Sequence, residues 1–145
     1  MTICTSGDNL NTKLSSTGWL TNLHIAIEAY KYFCNQHEGD TFSEREVEVH
    51  YCDLTEDNVF GWCERVDEDS WLIHIHNDLQ IVEHYKTLFH EFTHIVQDIF
   101  GLSDNHAREY EAHKLEELYY DQFILTEASK AVSYTHLTLP TIYSV

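Results

Sequence analysis

The chain has 145 residues, enough for one domain with a real core, and its 43% apolar, 13% aromatic and 23% charged residues are a globular composition. A formal charge of −17 with only 8 Lys and Arg excludes the basic patch that nucleic acid requires; the acids read first as a solvated surface, and more weakly as a preference for basic substrates. No apolar run approaches the ~18 residues of a membrane span, and residues 1–18 lack the regions of a signal peptide, so a cytoplasmic protein with no membrane partner is expected.

Residues 1–18 are rich in Ser, Thr and Asn and read as a loose polar segment. Leu20 to about His37 predicts a helix, because Leu20, Leu23, Ile27, Tyr30 and Cys34 recur at helical spacing and Gly39 follows as a stop. His24 and His37 have no partner at ligand spacing and read as surface residues. Three strand-like runs come next: Val47–Tyr51, Val59–Val66 and Trp71–His76. Acidic turn clusters at Asp53–Asn58 and Asp67–Ser70 separate them, which predicts a three-stranded antiparallel meander. In the third run Trp71, Ile73 and Ile75 share one face and Leu72, His74 and His76 the other. His74 and His76 read as a polar face in preference to a metal pair. Cys4, Cys34, Cys52 and Cys63 form no C-x-x-C pair and read as free thiols of a reducing compartment, with Cys52 and Cys63 expected on neighbouring strands.

A second helix is predicted from Leu79 to about Phe100, capped by Asn77 or Asp78 with Gln80 in a box-like role, and stopped by Gly101. Val82, Tyr85, Phe89, Phe92, Val96 and Ile99 form its expected core stripe, leaving His90, His94 and Gln97 along a neighbouring face. His84 falls off that row. His90, Glu91 and His94 make an H-E-x-x-H sequence. Two histidines four apart lie one above the other on a helix, so their imidazoles can converge on one Zn²⁺, with the glutamate beside it as a base. A third helix is expected from Glu109 to Phe123, with Ala112, Leu115, Leu118 and Tyr119 inward. Zinc needs a third protein ligand. Phe100 stands where the metzincin pattern has its third His, which excludes that class. Glu109 and Glu111 follow His94 by 15 and 17 residues and point in different directions, so only one can serve.

His90 to His94, followed by Arg108, Glu109, Tyr110, Glu111, Ala112 and His113, resembles the smallest gluzincin metallopeptidases, such as SprT-like, ImmA/IrrE-like and phage-encoded predicted ones. The register is similar to the E-x-x-A-D motif of membrane-bound peptidases, whose membrane spans this chain lacks. The resemblance implies Glu109 as the third zinc ligand, with Glu111 the alternative. It makes Ala112 the small residue of the helix contact and puts His113 where the families carry Asp or Asn. It also implies an α+β core: an N-terminal helix, three strands, the H-E-x-x-H helix and a third-ligand helix. The implied activity is peptide hydrolysis, with Glu91 as general base and His113, Tyr110 and Arg108 as candidate oxyanion donors. Trp71–His76 is the expected edge strand for an extended substrate. Two other readings compete: a zinc-stapled interaction domain closed by His106 or His113, and a metal-free homologue.

From Val132 the sequence VSYTHLTLPT resembles, codon for codon, a translated transposon-type sequencing adapter. The tail holds Pro140, the only proline, and no charged residue. The expected division is therefore a loose segment at 1–18, a metallopeptidase-like domain at 19–131 whose natural chain continues further, and a non-native tail at 132–145.

Overall fold

The computed structural model describes residues 1–5 and 16–138, with side chains for residues 1–2 and 22–128. In chain order the elements are β1 (Thr2–Thr5), α1 (Ser16–Gln36), β2 (Glu46–Cys52), β3 (Gly61–Asp67), β4 (Ser70–His76), α2 (Ile81–Phe100) and α3 (Asn105–Thr138). The class is α+β, as expected, and the three expected strands all form within a residue or two of their predicted ends.

The sheet itself corrects the expectation. It is mixed, with order β1-β2-β4-β3. β1 and β2 pair in parallel, β2 and β4 pair in parallel, and only β3 with β4 is antiparallel. Glu68 and Asp69 alone join β3 to β4, so these strands must form a hairpin. The hairpin docks on β2 through its second strand, because β4 has the apolar inner face: Trp71, Ile73 and Ile75 are all at most 1% exposed. β3, with Glu64, Arg65 and Asp67 and an irregularity between Arg65 and Asp67, is left at the edge, where charge and bulges are tolerated. Trp71–His76 is therefore an inner strand, not the edge. Cys52 and Cys63 are also not neighbours, since β4 runs between them; Cys34, Cys52 and Cys63 are free thiols.

The helices cover the face made by Val47, Val49, Tyr51, Trp71, Ile73 and Ile75. At the centre of the core Phe33 of α1, Phe42, Phe92 of α2 and Tyr119 of α3 meet in tilted and edge-on contacts, with ring centroids 4.7–5.6 Å apart. Phe92 is fully buried, so truncating it to Ala costs about 3–5 kcal/mol. Leu88 and Ile95 join the buried stripe of α2, while Val82 is exposed at the helix start. On α3, Ala112, Tyr119 and Phe123 are buried and Leu118 is exposed, so the inward face is rotated from the expected one. His37 is not a surface residue. Its ring stacks on Phe33, its Nε2 lies 2.7 Å from Tyr119 Oη and its Nδ1 contacts Asp40, which ties the end of α1 to α3.

Helix ends follow local chemistry. Gly101 adopts φ 78°, and the N–H groups of Gly101 and Leu102 close onto Asp98 and Gln97, which terminates α2. Its first turn is preceded by Gln80 without a side-chain cap, so the expected Asn77 or Asp78 cap is absent. α3 begins earlier than expected, with Asp104 Oδ2 accepting the Ala107 N–H at 2.9 Å. It also runs to Thr138, through the boundary drawn at residue 132, and residues 139–145 lie outside the described residues. Of the segment expected to be loose, Thr2–Thr5 pair with β2 and Ser16 already opens α1, while residues 6–15 lie outside the described residues. No helix among the described residues is long and apolar enough to cross a membrane.

Candidate metal centre

α2 carries His90 and His94 one turn apart, and their Nε2 atoms stand 3.1 Å from each other. α3 packs closely on α2, and its Ala112 is fully buried. That close approach brings Glu109 over the two rings: Oε2 is 3.1 Å from His90 Nε2 and Oε1 is 3.2 Å from His94 Nε2. The two Nε2 atoms stand 3.1 Å apart and each meets a different Glu109 oxygen at 3.1–3.2 Å, separations close to the ~3.3 Å edge of a tetrahedron whose metal–ligand bonds are ~2.0–2.1 Å. Two imidazoles and a carboxylate are also a zinc donor set. The residues fit the ion, and Glu109, 54% exposed, leaves the group open to solvent.

Each histidine is held from behind. His94 Nδ1 donates to Gln97 Oε1 at 2.8 Å, and Gln97 Nε2 in turn donates to the Arg108 carbonyl and to Glu111 Oε1. His90 Nδ1 donates to Glu116 Oε1 at 2.9 Å. Both bonds fix the ring with Nε2 facing Glu109. Burial lowers the His90 pKa, but the Glu116 hydrogen bond and the charges of Glu91, Glu109 and Glu116 outweigh it and hold the group above its usual value. His94 moves the other way: burial depresses it, the Gln97 bond only partly compensates, and His90 adds to the fall.

Glu111, the alternative third ligand, is bonded to Gln97 and does not join the three donors. The start of α3 is locked by Asp98, which accepts from Trp71 Nε1 at 2.8 Å on one oxygen and from Arg108 Nη1 at 2.7 Å on the other. That lock sets the rotation of α3 and hence which glutamate faces the histidines. It also holds Arg108, whose Nη1 further donates to the Leu102 carbonyl, at Asp98, and Arg108 is not among the residues that line the cleft beside Glu91. Tyr110 is 67% exposed and lines no part of the cleft. His113 does line it: its ring lies 4.7 Å from that of His90, and its Nε2 is 3.8 Å from Glu109 Oε2. His106 is exposed on the first turn of α3. His74 stacks on Trp62 and His76 accepts the Leu54 N–H, so these two form no pair. His84 is buried against Tyr51, away from the centre.

Glu91 is 5% exposed. Burial pushes its pKa up to about 7; the neighbouring His90 opposes this, while Glu109 and Glu116 add to it. Beside it opens a cleft of about 440 Å³, lined by Gly61 and residues 58–60 on one side, by Thr87, His90 and Glu91 below, and by His113 and Glu116 of α3. Gly61 is required there. A Cβ at this position would stand 2.8 Å from Thr87 Cγ2 and 2.9 Å from the His74 carbonyl oxygen, so only glycine lets the edge strand lie this close to α2.

Sequence reasoning missed Glu116 and Glu83, both of which line the cleft. The signal was present: Glu116 is seven residues after Glu109 and Glu83 seven before His90, two turns along the same helical rows. A scan against protein-family models matched none, and neither the curated proteins nor the solved structures gave a match.

Proposed function

We propose that the protein is a zinc-dependent peptidase of gluzincin type, with His90, His94 and Glu109 as ligands and Glu91 as general base. The observation that carries this reading is the convergence of His90, His94 and Glu109, each histidine Nε2 within 3.1–3.2 Å of a Glu109 oxygen, beside a buried glutamate and an open cleft. When bound, the ion supplies Lewis-acid chemistry, acidifying water and polarising a carbonyl. Glu91, with its pKa near 7, takes a proton from the attacking water and returns it to the leaving amine. Its burial keeps that proton exchange away from bulk solvent. Of the three candidate oxyanion donors His113 lines the cleft, and since its Nδ1 proton is bonded to Glu116 it can donate to the developing oxyanion only as an imidazolium. Among the described residues β3 is paired only with β4, so its outer edge can accept an extended peptide by β-addition along the cleft. The free thiols Cys34, Cys52 and Cys63 suit a reducing, cytoplasmic setting.

The test is one pair of measurements on the wild type and Glu91→Gln: zinc content, and hydrolysis of a mixed peptide library. Both proteins are expected to hold one zinc per chain and only the wild type to cleave, since an amide cannot take the proton. Equal cleavage by the two would remove Glu91 from the mechanism.

A second reading is favoured by one observation, the 3.8 Å between His113 Nε2 and Glu109 Oε2. A small rotation would make His113 a fourth protein ligand and close the site as a structural staple. X-ray absorption spectroscopy separates the two: three histidines around zinc, falling to two in His113→Ala, means a closed site.

A further inference from the structure

Two helical turns before His90, the same cleft is lined by Asn58, Val59, Phe60 and Glu83. Val59 and Phe60 are 41% and 52% exposed, apolar side chains standing open to solvent on the loop that enters β3. Glu83 is half-buried and has no hydrogen bond or ion pair with any other described residue. Its charge acts on Lys86, three residues along α2, whose ammonium is bonded not to Glu83 but to Glu117 at 2.9–3.0 Å. Among the described residues no Lys or Arg lines the cleft, whose other acidic members are Glu91 and Glu116. Glu116 is engaged by His90 and His113, and Glu91 is buried, which leaves Glu83 as the lining carboxylate whose side chain makes no hydrogen bond or ion pair among the described residues.

A carboxylate free of hydrogen bonds, in one cleft with two exposed apolar side chains, is complementary to a long cationic side chain. The aliphatic stem of Lys or Arg covers apolar surface while its head reaches the acid. We propose that Glu83, Val59 and Phe60 form a subsite that selects a Lys or Arg side chain of the peptide substrate. Seven residues of helix separate Glu83 from His90 by ~10.5 Å. An extended peptide advances ~3.3 Å per residue, so the selected side chain lies within about three residues of the scissile bond. The inference rests on the peptidase reading of the neighbouring centre.

The experiment measures binding separately from hydrolysis. Zinc-loaded Glu91→Gln protein is titrated with fluorescent peptides that carry one Lys at successive positions, each matched to a peptide with uncharged norleucine there. Lys at one position is expected to bind about three- to tenfold tighter than norleucine at low salt. The advantage should shrink at about 0.5 M salt, where exposed charges are screened. In Glu83→Gln the ratio should approach one, and in Glu83→Lys it should reverse in favour of a Glu-bearing peptide, with melting curves verifying that both variants are folded. Equal binding at every position, or a Lys preference that survives both substitutions, would overturn the subsite. A Glu83-dependent Lys preference in a wild type that hydrolyses no peptide would instead overturn the peptidase reading and leave the subsite standing.

Discussion

His90 donates its Nδ1 proton to Glu116 of α3, 2.9 Å away, and this one bond decides which nitrogen of the ring faces Glu109. Glu116 uses the same oxygen to accept from His113 Nδ1 at 3.0 Å, so it holds a proposed ligand and a cleft-lining residue together. Outer-sphere carboxylates of this kind raise ligand basicity and fix the tautomer. Glu116→Ala is expected to weaken zinc binding about 10–100-fold, as read by chelator competition, with Glu116→Gln falling between because the amide oxygen still accepts. Unchanged affinity in both variants would mean that His90 is oriented by packing alone.

The choice between Glu109 and Glu111 gives a sharper test. Glu109 touches both histidines, whereas Glu111 reaches only Gln97, itself still bonded to the Arg108 carbonyl. Glu109→Ala should therefore reduce zinc affinity by more than the ~100-fold ceiling of outer-sphere losses, and Glu111→Ala by no more than about tenfold. The reverse order in a side-by-side chelator titration would show that α3 is rotated from the position described.

Gly61 sets the width of the cleft. With alanine there, Thr87 Cγ2 and the His74 carbonyl would both be under 3.0 Å from the new methyl, so β3 must move away from α2. Gly61→Ala is expected to cost about 1–3 kcal/mol in urea unfolding. Adding Thr87→Ser should recover only part, because it removes one clash and leaves the backbone one. A fully stable single variant would show that the strand has room to spare.

His84 predicts acid sensitivity. It is 2% exposed, its Nε2 lies 2.6 Å from Tyr51 Oη, and burial lowers its pKa to about 4 from 6.5. Between those values the unfolded chain binds more protons than the folded one, so stability falls as pH falls from 6.5 to 4. The contribution is about 3 kcal/mol, fully present above pH 6.5. His84→Gln keeps a hydrogen-bonding group but cannot titrate. Its stability should decline less steeply than the wild type's across that window in urea midpoints recorded at successive pH values. Parallel declines would assign the acid sensitivity to other groups.

What the sequence by itself determined was governed by short repeats, although on α3 the repeat misplaced the inward face. A period of 3.6 puts His90 and His94 on one face, and a period of 2 separates Trp71, Ile73 and Ile75 from His74 and His76. Both statements need only neighbours within a turn or a pleat. The order of the strands could not be read that way. Residues 53–60 are long enough to carry the chain past a strand position, and which strand lies inside depends on how the β3–β4 hairpin docks on β2. The charges of β3, Glu64, Arg65 and Asp67, were the legible hint that it belongs at the edge. Spacing alone also left Glu109 and Glu111 open. Tertiary structure chose through Asp98, which binds Trp71 and Arg108 at once and so fixes the rotation of α3 over α2. Helical spacing aligns Glu116 with Glu109 and Glu83 with His90, but only the packing of three elements brings them and Gly61 to one cleft.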